Sequence, residues 1–185
     1  MSQAPKNVAI SVRDRFVARA RSRRENAQLL MTRYVIQRLL YRLSCSQHRD
    51  RFILKGAMLF SLWADAPYRA TGDLDLLGAG ENAREKLASI FQEILAVDVE
   101  DDGILFRPDT LRAAAARAEH QYAGVRIDFL AELAGARLLM HVDIGFGDAV
   151  TPAPVDIRYR TTPIRPVGEL HGIPFDSEPD PAPRG

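Results

Sequence analysis

Apolar positions in the first part of the chain recur at helical spacing. Val12, Phe16 and Ala20 form one set, and Leu30, Tyr34, Ile36, Leu39, Leu40 and Leu43 form a second. The polar run from Arg21 to Asn26 divides them, which predicts two helices, and Ser11 with Asp14 reads as a capping box opening the first. Arg51–Leu54 is a short apolar stretch ending at Lys55-Gly56, and residues 57–64 have the length and residue types of a buried helix closed by Pro67. From Thr71 to Leu77 the pattern changes to strict alternation, with Asp73, Asp75 and Leu77 on one side and Leu74 and Leu76 on the other, as in a strand with one apolar face. Asn82–Leu95 returns to helical spacing. Val97–Val99, Ile104–Phe106, Val125–Leu130 and Leu138–Phe146 then read as strands of an antiparallel sheet. The alanine-rich residues 113–118, lying between strand candidates, favour helix by propensity alone. From Thr151 onward 8 of the 11 prolines accumulate and no periodicity survives, so an open or disordered tail is expected.

Composition narrows the picture without changing it. The 185 residues suit one domain, and 46% apolar with 26% charged residues supports a packed core rather than disorder. No apolar run approaches the ~20 residues of a membrane helix, and the first residues lack a signal-peptide layout. Cys45 is the single cysteine, so no internal disulfide forms, and no Cys/His set is spaced for zinc. A cytoplasmic protein without a membrane partner is expected, with Cys45 an ordinary buried thiol. The net charge of +1 conceals an asymmetry: residues 1–56 carry +10 and residues 57–157 carry −9. The arginines of the first segment, Arg38 and Arg42 among them, form a face suited to a phosphate backbone, beside an acidic body suited to cations.

The candidate chemistry centres on Gly72-Asp73-Leu74-Asp75-Leu76. Residues two apart in a strand share a face, so Asp73 and Asp75 stand side by side. Adjacent carboxylates repel unless a cation neutralises them, and a hard ion, Mg²⁺ or Mn²⁺, suits their oxygens. Two such ions support phosphoryl displacement. The alternating segment Leu139–Phe146 offers Asp143 as a third carboxylate if its strand lies near the first, with Asp128 the weaker candidate. His141, which shares the polar side of that segment, is expected to be a satisfied sheet histidine.

Three runs of residues together resemble the AbiEii/AbiGii-type toxin family of nucleotidyltransferase-fold proteins, which includes the MenT toxins. They are Lys55-Gly56-Ala57-Met58-Leu59, the stretch Tyr68-Arg69-Ala70-Thr71-Gly72-Asp73-Leu74-Asp75-Leu76, and Val142-Asp143-Ile144-Gly145-Phe146-Gly147-Asp148. The resemblance, spanning about Val8 to Val155, implies an α+β fold: a mixed sheet flanked by helices, preceded by a helical segment. It divides the chain into a basic helical segment (1–50), a nucleotidyltransferase-like core (51–157) and a non-matching, Pro-rich tail (158–185) where relatives carry a helical C-terminal lobe. It implies Mg²⁺-dependent transfer of a nucleoside monophosphate from an NTP to RNA, with tRNA the expected acceptor and a cognate antitoxin as partner. Asp73, Asp75 and Asp143 would be the metal-holding catalytic carboxylates. Lys55, Gly56, Arg69 and Thr71 would bind the nucleotide's phosphates. The alternative expectation is a truncated, inactive remnant that only binds nucleotide, RNA or antitoxin.

Overall fold

The computed structural model describes residues 7–56, 72–116, 124–147, 155–159 and 168–172. Two helices open the chain, α1 (Val8–Arg23) and α2 (Ala27–Cys45). The first begins before the expected capping box: the Asn7 side chain accepts from the Ile10 amide at 3.1 Å, and Ser11 sits inside the helix. Arg24 ends α1 in a left-handed conformation (φ 54°), and Asn26 then caps α2 through the Leu29 amide, so the polar run is a true break.

A single-turn 3₁₀ helix (Arg49–Arg51) leads into β1 (Phe52–Lys55). Strand β2 (Asp73–Gly78) and helix α3 (Arg84–Leu95) follow. Next come β3 (Ile104–Ala115), β4 (Val125–Leu133) and β5 (Ala136–Gly145), and then β6 (Val155–Tyr159) and β7 (Gly168–Gly172). They join one mixed sheet in the order β3-β4-β5-β2-β1-β7-β6. Pairing is parallel between β2 and β5 and between β1 and β7, and antiparallel elsewhere. A five-strand core is thus extended by the β6–β7 hairpin. With the helices it forms the expected α+β arrangement of mixed sheet and flanking helices.

Several expectations are corrected here. Val97–Val99 is not a strand; the Ala96 and Val97 amides continue the end of α3 by bonding back to it. Residues 113–115 of the alanine-rich run extend β3, because pairing with β4 overrides helix propensity. The tail expected to be disordered contributes to the sheet: β6 pairs with β7, and β7 docks beside β1 through Leu54 and Gly172. The helix expected over 57–64 lies outside the described residues.

One core forms between the helices and one face of the sheet. Leu54, Leu74, Leu76, Val142, Ile144, Ile127 and Phe129 point into it, meeting Val35, Ile36, Leu39 and Leu40 of α2 and Leu87, Ile90 and Phe91 of α3. Aromatic pairs tie the layers, Phe16 to Tyr34 at 5.3 Å and Phe52 to Phe91 at 5.6 Å between ring centroids. The β4–β5 turn is a two-residue loop with Ala134 (φ 47°) and Gly135 (φ 82°) both left-handed, the geometry that matches the twist of a hairpin. Edge strand β3 carries Pro108, where a ladder amide is dispensable. Its register breaks between Arg107 and Arg112, and the Thr110 hydroxyl accepts from the Leu130 amide at 2.9 Å across that break.

A charged cluster is sealed into the same core. Asp102, 2% exposed, accepts from Arg38 Nε at 2.6 Å, from Arg42 Nη1 and Nη2 at 2.6 and 3.3 Å, and from the Ile104 amide at 3.0 Å. Tyr34 donates to its backbone carbonyl at 2.8 Å. Arg38 and Arg42 are therefore buried structural cations rather than part of a phosphate-facing surface. Arg13, Arg15, Arg19, Arg21, Arg23 and Arg24 remain exposed on and beside α1. Cys45 is exposed, not buried, because α2 ends there.

Candidate active site

The sheet face turned away from the described helices carries the polar side chains. On β2, Asp73 and Asp75 point to it while Leu74 and Leu76 are buried, as strand alternation requires. Parallel pairing sets Asp75 opposite Asp143 and Asp73 opposite His141. Neighbouring strands lie about 4.8 Å apart, so Asp75 and Asp143 are lateral neighbours. The three carboxylates named from sequence are thus brought together on two adjacent strands.

The register continues outward on both sides. Lys55 at the end of β1 is opposite Asp75, and Arg126 of β4 is opposite Asp143. One row across four strands therefore reads Lys55, Asp75, Asp143, Arg126, with two carboxylates between two cations. A second row reads Asp73, His141, Asp128. There the His141 Nδ1–H donates to Asp128 at 2.7 Å, so His141 is a satisfied sheet histidine. Asp128 lies one strand further out than Asp143, which makes Asp143 the third member of the group.

Electrostatics within the row are uneven. Arg126 grips Asp143 with two hydrogen bonds, Nε to Oδ1 at 2.7 Å and Nη2 to Oδ2 at 2.5 Å, and this pairing raises the guanidinium further above its ordinary value. Asp75, half-buried, has its carboxyl pushed above the usual range by burial and then by the Asp143 and Asp73 charges. The Lys55 and Arg126 charges oppose that shift. Lys55 reaches across the row: a side chain at Gly145 of β5 would meet its Nζ at 3.0 Å.

Gly56, the residue after β1, sits at φ +75°, and a Cβ there would collide with the Asp75 carboxylate. Its lack of a side chain makes room for Asp75 itself. Arg69 and Thr71 lie outside the described residues. Arg126 was not among the residues singled out from sequence, although the alternation Arg126-Ile127-Asp128 already put it on the polar side of its strand.

The donor set suits a hard divalent cation. Asp73, Asp75 and Asp143 offer carboxylate oxygens only, and the raised Asp75 carboxyl marks negative charge that such an ion would relieve. In the present arrangement Asp143 is engaged by Arg126. Among the described residues no three His, Cys, Asp or Glu side chains are already gathered as a metal-binding group.

A carboxylate trio flanked by a lysine and an arginine, on the sheet face turned away from the described helices, is chemically suited to phosphoryl or nucleotidyl transfer. The family model for the nucleotidyl transferase AbiEii toxin of type IV toxin–antitoxin systems matches residues 38–178. The chain therefore belongs to that family and is a nucleotidyltransferase of toxin type, with an NTP substrate and an antitoxin counterpart. No curated protein and no solved structure matches the chain. The match begins within α2, leaving α1 outside it, and runs through β6 and β7, beyond the Val155 at which the resemblance of the motifs ends. No described helix is long and apolar enough to cross a membrane.

Proposed function

We infer that the protein transfers a nucleoside monophosphate from an NTP to RNA, with tRNA the acceptor, in the cytoplasm and with Mg²⁺ or Mn²⁺ as cofactor. The observation that carries this reading is the placement of Asp73, Asp75 and Asp143 at neighbouring register positions on one face. Asp73 and Asp75 would hold the cation, which when bound supplies charge neutralisation for the triphosphate and the leaving group. Asp143 would take the proton of the attacking hydroxyl or complete the cation's shell. Lys55 would counter phosphate charge from the opposite end of the row. Arg69 and Thr71 would contact the phosphates, and Gly56, by leaving Asp75 its space, would keep the metal-holding carboxylate in place. The exposed arginines of α1 support an RNA acceptor, because each phosphate they neutralise adds salt-sensitive affinity.

The test is label transfer from each α-labelled NTP to total tRNA in the presence of Mg²⁺ or Mn²⁺. Labelled, lengthened RNA is expected with the wild type and none above background with Asp73→Asn. Transfer that survives Asp73→Asn overturns the assignment. Shortened RNA identifies a nuclease using the same carboxylates.

A further inference from the structure

The row Lys55, Asp75, Asp143, Arg126 holds two acids and two bases, so its own formal charge is balanced. Both oxygens of Asp143 accept from the one guanidinium of Arg126. A divalent cation arriving at Asp75 needs Asp143 oxygens turned toward it and meets Arg126 as a competing positive charge. We propose that Arg126 is a positioning residue that latches Asp143 in the cation-free protein and releases it when a divalent cation enters between Asp75 and Asp143. The proposal rests on the metal-dependent transfer reading given above.

Two features fit a releasable latch better than a fixed structural pair. The Arg126 side chain is 42% exposed, against 1% for Arg38 in the core cluster, so it can leave Asp143 for water without stranding a buried charge. Asp73 and Asp128 also act on Arg126, so the guanidinium has carboxylates nearby when it lets go. Once released, the guanidinium stands at the end of the row, where it can face the negative charge of a triphosphate.

The test uses Mn²⁺ alone as probe, with the signal of free Mn²⁺ followed by electron paramagnetic resonance. Five folded proteins are compared: wild type, Arg126→Gln, Arg126→Lys, Asp143→Asn and the Arg126→Gln/Asp143→Asn double variant. The latch predicts that Arg126→Gln binds Mn²⁺ about tenfold more tightly than wild type, the scale of losing one two-point ion pair at a part-exposed site. In the Asp143→Asn background the same substitution should change affinity by less than about twofold, because nothing is left to release. Arg126→Lys, which keeps the charge but not the two-point grip, should fall between. An equal gain in both backgrounds means that Arg126 merely repels the ion, and no gain in either means that it does not compete; both overturn the latch. Such a result with Mn²⁺ binding intact in the wild type leaves the transfer reading standing. Absence of Mn²⁺ binding in all five proteins removes the latch and the metal-dependent reading together.

Discussion

Replacing Asp102 by Asn tests whether the buried arginine cluster holds the helices to the sheet. The carboxylate serves two guanidinium groups at 2.6 Å each, and all three side chains are 7% exposed or less. Arg38 Nη1 is already buried without a hydrogen-bond partner among the described residues, so that cation depends on Asp102 for its charge balance. Removing one partner of a buried pair costs about 3–5 kcal/mol, and here one removal strands two charges. Asn keeps the shape and one acceptor, which places Asp102→Asn within that range rather than above it. For a chain of this size each kcal/mol moves the melting midpoint by about 2–4 °C, so a fall of roughly 10 °C is expected.

Urea unfolding followed by circular dichroism at pH 7, with a thermal scan beside it, reads the loss directly. The pH dependence supplies a second reading. Burial would raise the Asp102 carboxyl, but the hydrogen bonds and charges of Arg42 and Arg38 outweigh it and hold the group below its ordinary 3.8. A depressed folded pKa gives stability that is fully present above pH 3.8 and is lost as pH falls through the folded value. The gap between wild type and variant should therefore be widest at neutral pH and close in acid. A loss under about 1 kcal/mol at pH 7, or two pH curves that stay parallel down to acid unfolding, would refute the argument.

Asp75 predicts the opposite sign. Its carboxyl is raised above 3.8, chiefly by burial and then by Asp143 and Asp73, so its contribution to stability is present below 3.8 and lost as pH rises through the folded value. Asp75→Asn should raise the melting midpoint at pH 7, with the gain fading in acid, while label transfer to RNA disappears; a lower midpoint at pH 7 contradicts the assignment. Gly56→Ala should lose at least about 1 kcal/mol from the left-handed backbone alone, and more because Asp75 must move. Combined with Asp75→Ala the second part shrinks, because the carboxylate is gone and only the residue-75 Cβ at 3.0 Å remains, which urea titration of the single and double variants can show; equal losses in both backgrounds contradict the contact.

The carboxylate face was legible because strand alternation has a period of two, which put Asp73 and Asp75 together and Asp143 on the polar side of its own strand. The direction in which β5 meets β2 is not a local property. Parallel pairing of β2 with β5 set Asp143 opposite Asp75, and the antiparallel pairings of β1 and β4 set Lys55 and Arg126 at the two ends of the row. The buried cluster left a signal that went unread: Tyr34, Arg38 and Arg42 recur every four residues along one face of α2, which is the core face. Its counter-ion, Asp102, lies in a loop whose pattern says nothing of α2. Strand β7 was invisible for another reason. Its place beside β1 depends on backbone pairing, which leaves no periodic trace in five residues bounded by glycines. Asn7 took the cap from Ser11 because Val8 and Ala9 pack against the core and carry the helix one turn further back.

The strand order has a consequence for the timing of assembly. Asp73 and Asp75 are synthesised well before Asp143, and β1 gains its second neighbour only when β7 has been made. A nascent chain that has reached β2 holds two of the carboxylates, but neither Asp143 nor Arg126, and lacks the β7 partner of β1. The row closes late, through pairings between distant segments, which are the slow steps of folding. In a chain of this toxin family, Asp75 therefore meets Asp143 only after β5 has been made, and the strand ending in Lys55 pairs with β7 later still.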